Sequence, residues 1–486
     1  MSHGMNDSES SADSTAPLDF HRRPGEYKTV EEVLEKIGYW NPKVLYIVCS
    51  MALIWGLTAM PIMCSAFMNT GIACPTNETS CLEEKEKMHS ITDEFHLTGN
   101  DAEWTLSIFF VANIFGGTIL SYFADVIGRK PIVISSLFFM GLFGIASAFV
   151  NSFGLFLTAR FMQGFFFTSS SMVNWVLACE SISLKAHAHA SMLFGLCWVL
   201  GYCMVAVIAY FLPDWRYIML GVSIPSCVFG IIFWFTIPES FHFLVERRKK
   251  HKAEKWIKNM ERDSNPVDCD IDLLFMEVHK DDPLHERKKN FDKAIKFLAE
   301  NKIYIVYLLV STVMWILDFM IYNGMSLFST ALVGDPYINY VLSGIVEIPA
   351  YVLAPELLNR IGRKRTVIWS HIFTAVCLLI LLFVSQEHKA LYVAIWLAGK
   401  LGTSTCFMCL FVYGSEIFPT PVRNTCMGLC AMLSNLGAVI APHVKHMDAI
   451  YPGAPMLTFG LASLICGFLT TIFPETRHGS ISYHAH

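Results

Sequence analysis

Apolar residues are gathered into blocks of about twenty, the length a helix needs to cross a hydrocarbon core roughly 30 Å thick. Twelve such blocks stand near residues 43–63, 104–123, 131–150, 155–178, 191–211, 216–237, 303–325, 338–357, 366–385, 390–413, 424–444 and 455–473. Lipid offers backbone amides no partner, so each block is expected to be an α-helix. The fold class predicted is an all-α polytopic bundle of twelve transmembrane helices. The connectors fall into two alternating sets. Gly128-Arg129-Lys130, Lys185, Arg247 to Lys258, Arg360 to Arg365, and Arg423 are basic. Residues 151–154, Pro213-Asp214, Gly334-Asp335 and Asp448 to Gly453 carry no Lys or Arg besides a few polar groups. Basic connectors stay on the cytoplasmic side. Both termini and the 239–302 loop are therefore expected in the cytoplasm, in a multi-pass protein of the plasma membrane.

Composition sharpens this picture. Hydrophobic residues make up 54% of 486, charged residues 16%, and mean hydropathy is +0.45, where a soluble domain would carry about 25% charged residues. The net charge of -5 gives no reason to expect a nucleic-acid partner. No phosphate-binding glycine loop and no zinc-type cysteine pairing appears, so neither ATP-driven pumping nor a cofactor is expected. No nucleophile–base set stands out, and an enzyme is not expected. Most of the 15 cysteines lie inside apolar blocks, where they read as small packing residues. Residues 1–42 are expected to form a cytoplasmic tail, polar and disordered to about residue 40, with no cleaved signal sequence. The 64–103 loop falls outside. It holds a glycosylation sequon at Asn77 and the cysteines Cys74 and Cys81, a disulfide candidate whose alternative is two free thiols.

The chain repeats itself. Asp125-Val-Ile-Gly-Arg-Lys130 follows the second span and Asn359-Arg-Ile-Gly-Arg-Lys364 the eighth, 234 residues on. Glu180 and Glu416 end the fourth and tenth spans, and Pro238-Glu239-Ser240 and Pro474-Glu475-Thr476 close the sixth and twelfth, each pair 236 apart. Nearly one offset for three motifs implies a duplicated six-helix unit: residues 43–238 and 303–474, joined by a linker at 239–302 and followed by a tail at 475–486. Repeated halves suit a transporter with its site between them.

These motifs resemble those of the major facilitator superfamily, and Arg160-Phe-Met-Gln-Gly164, Pro238 to Leu244 and Glu416 to Arg423 narrow the likeness. With Asn323 to Leu327, Gly334 to Asn339 and Val346 to Tyr351, the chain resembles the organic cation and organic anion transporters from about residue 40 to 477. The resemblance implies gating roles at Asp125, Gly128, Arg129, Glu180, Gly362, Arg363, Glu416 and Arg423. Asp125 is expected to pair with Arg129, and Arg129 to meet carbonyls or Glu180, in a cluster that locks the two halves together. His187 stands where the repeat has Arg423 and the family has arginine. It reads either as a pH-sensitive element of that lock or as a surface histidine.

Charges in span centres mark a substrate path, because each costs roughly 2.5–3.5 kcal/mol to insert. Four qualify: Arg160, expected in a structural network; Glu347, in the family-typical stretch; Asp318; and Lys400, either the positive site or the partner of Asp318. Asn435 aligns where cation-selective relatives carry an acid and anion-selective ones an arginine. An amide there leaves the sign of the cargo open, and Asp318 tilts the reading toward cations. Tyr202, Trp315 and Tyr322 are the aromatic candidates for holding a cation. The function expected is transport of a small organic cation or zwitterion by alternating access, with an unidentified coupled ion a further candidate partner. Alternatives are an organic anion carrier centred on Lys400, or a non-transporting sensor of the same fold.

Overall fold

The structure is a computed structural model, and it describes residues 29–69, 89–98, 100–261, 271–277 and 283–476. The sequon at Asn77 and the Cys74–Cys81 pair lie outside the described residues. The first six spans are Pro42–Met63, Trp104–Ile127, Arg129–Ser147, Phe153–Cys179, His187–Phe211 and Trp215–Thr236. The second six are Lys302–Phe328, Pro336–Arg360, Arg363–Ile380, Lys389–Ile417, Thr420–Ile440 and Ala454–Thr470. All twelve sit where the apolar blocks placed them.

Local chemistry sets the ends. Asp214 and Asp335 cap the sixth and eighth spans through backbone amides of Arg216 (2.8 Å) and of Tyr337 and Ile338 (2.8 and 3.0 Å), with Pro336 at the first helical position. Their carboxylates satisfy amides that have no partner within the helix. Gly128 and Gly362 stand between paired spans with φ of 140° and 104°, a backbone that strains any residue with a Cβ. Two spans are not regular. The fourth widens into a π-turn at Ser169–Val173, and the eighth breaks at Val346, between Pro336–Ile345 and Glu347–Arg360.

Two expectations need correcting. The stretch 239–302, read as a loop, contains the helices Phe241–Glu246, Lys250–Glu261, Ile271–Glu277 and Pro283–Glu300. In the second of these, Ala253, Trp256, Ile257 and Met260 are buried, the 3.6-residue stripe of an amphipathic helix. It docks on the first span: the Asn41 amide donates to the Met260 carbonyl (2.9 Å), and Lys43 donates to the Asn259 carbonyl. The tail read as disordered to residue 40 likewise contains the helix Val30–Ile37. Its Val33, Leu34 and Ile37 are buried, Glu31 accepts from the Leu184 amide, and Glu35 pairs with Lys185. Short amphipathic stretches were masked by the high charge around them.

Candidate functional site

The break at Val346 positions the centre of the molecule. Glu347 opens the second segment of the eighth span and is fully buried, as is Lys400 in the middle of the tenth. Their charged groups lie 3.1 Å apart. The ammonium also donates to Ser326 Oγ at 2.6 Å. The other carboxylate oxygen of Glu347 accepts from the hydroxyls of Tyr322 (3.0 Å) and Tyr351 (3.1 Å). Lys400 Nζ also lies over the Tyr322 ring, 3.8 Å from its centroid. Two full charges without water need this mutual neutralisation, since removing ions from water costs several kcal/mol each.

The first half reaches this pair through Tyr322. Trp198 Nε1, from the fifth span, donates to the Tyr322 hydroxyl at 2.9 Å. Trp55 packs on Trp198 at 6.2 Å, Phe194 on Trp55 at 5.5 Å and Trp175 on Phe194 at 5.0 Å. Phe407 stacks on Tyr322 at 5.0 Å from the other side, with Phe319 and Phe411 beyond it. An aromatic band thus runs across both halves with one carboxylate and one ammonium set in it. Ring faces carry negative potential and attract cations.

Contacts between the halves gather toward the end opposite the basic connectors. Tyr202 stacks on Tyr340 at 4.4 Å, Tyr210 meets Tyr337 at 5.5 Å, and the Tyr340 hydroxyl donates to the Met63 carbonyl (3.3 Å). Along the second and eleventh spans, Ser107 donates to the Val439 carbonyl (2.7 Å) and Asn113 to the Asn435 side-chain oxygen (2.8 Å), while Glu103 lies 3.5 Å from His446.

At the basic end each half carries its own copy of one network. Arg129 lies 3.0 Å from Asp125 and 3.2 Å from Glu180, and donates to the Ala124 carbonyl (3.2 Å). Glu239 accepts from the backbone amides of Arg129 (3.0 Å) and Lys130 (2.9 Å), and Ser240 donates to Glu180. In the second half Arg363 holds Glu416 (3.1 Å) and the Leu358 carbonyl (3.2 Å), Glu475 accepts from the Arg363 amide (2.8 Å), and Thr476 donates to Glu416. His242 adjoins the first copy, and burial holds its imidazole below the usual range.

Comparison with known proteins places this architecture. The description of the Major Facilitator Superfamily matches residues 60–442. The chain belongs to the major facilitator superfamily. A putative transporter from Caenorhabditis elegans is 33% identical over 92% of this chain and 89% of its own length. An organic cation transporter-like protein from Drosophila melanogaster is 27% identical over 85% and 76%. Among solved structures, the E. coli xylose transporter XylE in a partially occluded inward open conformation overlays with a TM-score of 0.67 at 17% identity, over 90% of this chain and 99% of that one. The last likeness is one of fold.

Within this facilitator fold the predicted residues separate into groups. Lys400, Glu347 and Tyr322 come together, and Tyr202 donates to the Ser326 carbonyl (3.4 Å) beside them. Asp318 does not join them: Lys400 is neutralised by Glu347, and Asp318 is buried against His371 of the ninth span, 3.8 Å away. Its neighbours, His371 of the ninth span and Cys466 of the twelfth, both belong to the second half. Trp315 is likewise packed inside the second half, against Phe411 at 4.6 Å. Asn435 sits at the junction of the halves, bridged to Asn113. Arg160 is fully buried and ties three spans together through the Pro61 carbonyl (3.0 Å), the Thr105 carbonyl (3.2 Å), Ser65 (3.2 Å) and Gln163 (2.6 Å).

Arg129 meets Asp125, Glu180 and the Ala124 carbonyl as expected, and in this conformation all three partners belong to the half that carries it. His187 does not join Glu180 in that cluster among the described residues. Its ring lies 3.3 Å from the Cys179 carbonyl at the end of the fourth span, and Arg423 turns back to the Phe418 carbonyl (3.2 Å). Sequence reasoning did not select Trp198, Tyr351 or Ser326. Two of these had a signal in helical spacing, since Tyr351 follows Glu347, and Ser326 follows Tyr322, by four residues on the same face.

Proposed function

We propose that this facilitator carries small organic cations or zwitterions, and that Glu347 and Lys400 form the charged centre of its substrate site. The observation that carries the reading is the Glu347 carboxylate, buried in an aromatic band contributed by both halves and held by Tyr322, Tyr351 and Lys400. A cation entering between the rings meets negative ring faces and a carboxylate whose present partner is a lysine that Ser326 also holds. A zwitterion would engage both members of the pair. Relatives named as organic cation transporters support the same class.

Transport is proposed to run by alternating access. The contacts of Tyr202 with Tyr340 and of Asn113 with Asn435 close one end, and they must part for the site to open there. The excess of Lys and Arg in the basic connectors supports a closed end facing outside and both termini in the cytoplasm, with the plasma membrane the proposed location. The duplicated Arg129 and Arg363 networks are proposed to keep each half rigid while the halves rock, with Gly128 and Gly362 letting Glu239 and Glu475 reach the helix starts.

Uptake in expressing oocytes tests the reading, using labelled choline-like cations, carnitine-like zwitterions and dicarboxylates. Cations or zwitterions should enter, and Glu347→Gln should remove that uptake while the protein still reaches the surface. Uptake of dicarboxylates alone would reverse the sign assigned to the site.

A further inference from the structure

One charged group has no place in the proposed path. Asp318 lies in the middle of the seventh span, 2% exposed, with oxygen Oδ2 unpartnered among the described residues. Its neighbour His371, on the ninth span, is 1% exposed, and its Nε2 is unpartnered as well. Cys466 of the twelfth span completes the group: one oxygen, one nitrogen and one sulfur, all within 4.8 Å of one another. Ser463, one turn before Cys466, donates to the His371 carbonyl at 2.9 Å and lies 3.4 Å from ring Nδ1, which fixes the imidazole.

An uncompensated carboxylate in a span centre is expensive, and His371 at 3.8 Å is too far for a hydrogen bond. We infer that Asp318, His371 and Cys466 form a binding site for a zinc-class divalent transition ion, which ties together the seventh, ninth and twelfth spans. Zinc accepts this mixture of donors, with bonds of about 2.0–2.3 Å that put tetrahedral ligands about 3.3–3.8 Å apart. The three ligand atoms, all within 4.8 Å of one another, need to draw together by only about 1 Å to reach that. Charge closes too: as the metal–sulfur bond forms, the Cys466 thiol releases its proton to water. The 2+ ion is then balanced by one carboxylate and one thiolate, with histidine neutral. A neutral ensemble is what a membrane interior tolerates. Three protein ligands leave a fourth position open. Tyr322 follows Asp318 by one turn of the same helix, so an ion here would brace the seventh span, whose Tyr322 hydroxyl donates to Glu347.

The test uses the full chain purified in detergent, loaded with zinc and passed through gel filtration before metal analysis. Close to one zinc per chain should be retained, and Cys466→Ser and His371→Gln should each weaken retention by at least about tenfold. Cobalt in place of zinc should show thiolate-to-metal charge-transfer absorption that Cys466→Ser removes. The cobalt spectrum of the unmutated protein tests the site even if a variant fails to fold. Cobalt bound with no thiolate band overturns the inference, as does zinc retained equally by both variants, which would place it on other histidines. Monodisperse protein that retains no zinc also overturns it and leaves Asp318 as a buried carboxylic acid.

Discussion

Replacing Gly344 with alanine should selectively weaken the closed end of the transporter. Gly344 is on the Pro336–Ile345 segment of the eighth span, and a Cβ there would lie 2.6 Å from a ring carbon of Tyr202 and 3.0 Å from Cys203 Sγ. Both neighbours belong to the other half. Tyr202 cannot retreat, because its ring is stacked on Tyr340 at 4.4 Å and its hydroxyl is held by the Ser326 carbonyl. Overpacking of this kind costs about 1–3 kcal/mol, which shifts an equilibrium by about 5- to 150-fold. The penalty applies only when the fifth and eighth spans are together. The variant should therefore fold normally and populate the open-end conformation more. Site-resolved mass spectrometry after treatment with a membrane-impermeant maleimide reads this as faster labelling of Cys203, whose thiol faces the Val341 carbonyl at 3.8 Å in the closed state. Adding Tyr202→Ala should cancel the effect of the alanine, because the clashing ring is gone. Unchanged labelling in Gly344→Ala, or an effect that persists without the Tyr202 ring, refutes the closure described here.

Three further outcomes follow from the geometry. Lys400→Met leaves Glu347 buried without its cation and should cost about 3–5 kcal/mol of stability, whereas Lys400→Met with Glu347→Leu should melt near the parent and transport nothing; thermal melting and uptake of the three proteins check this. Hydrogen bonds from Arg216 hold Glu94 below the usual carboxylate range, so this pair stabilises fully above the ordinary carboxylate pKa and its contribution is lost as pH falls through the lowered value; Glu94→Gln should flatten that acid limb of the melting profile, and an unaltered limb counts against the assignment. Gly128→Ala adds a Cβ against Glu239 at a φ of 140° and should lower melting temperature more than Gly117→Ala, whose Cβ would meet the Thr168 side chain but sits on ordinary helical backbone; equal shifts would remove the special role of that turn.

The spans were legible because lipid enforces a single period and a single length. The duplication was legible because Glu180 and Glu416, or Glu239 and Glu475, keep a constant offset, and the structure gives each pair the same partners. Glu347 and Lys400 were visible as charges in apolar blocks, but their pairing was not. It depends on a helix break at Val346 and on which faces of the eighth and tenth spans meet. Asp318 illustrates the limit most clearly. Its charge marks it as unusual, yet only the packing of the seventh span against the ninth and twelfth turns it toward His371 and away from the other half. Helix 30–37 and the helices of 239–302 were missed because short amphipathic stripes are faint beside twelve long apolar blocks.

The central claim is that one buried carboxylate between the halves selects the cargo. The most direct measurement is uptake of labelled organic cations and zwitterions by Glu347→Gln and Glu347→Asp, with surface expression matched to the parent. The account predicts loss of uptake in the glutamine variant and partial retention in the aspartate variant, because aspartate keeps the charge at a shorter reach. Full cation uptake by a surface-expressed Glu347→Gln protein would contradict it.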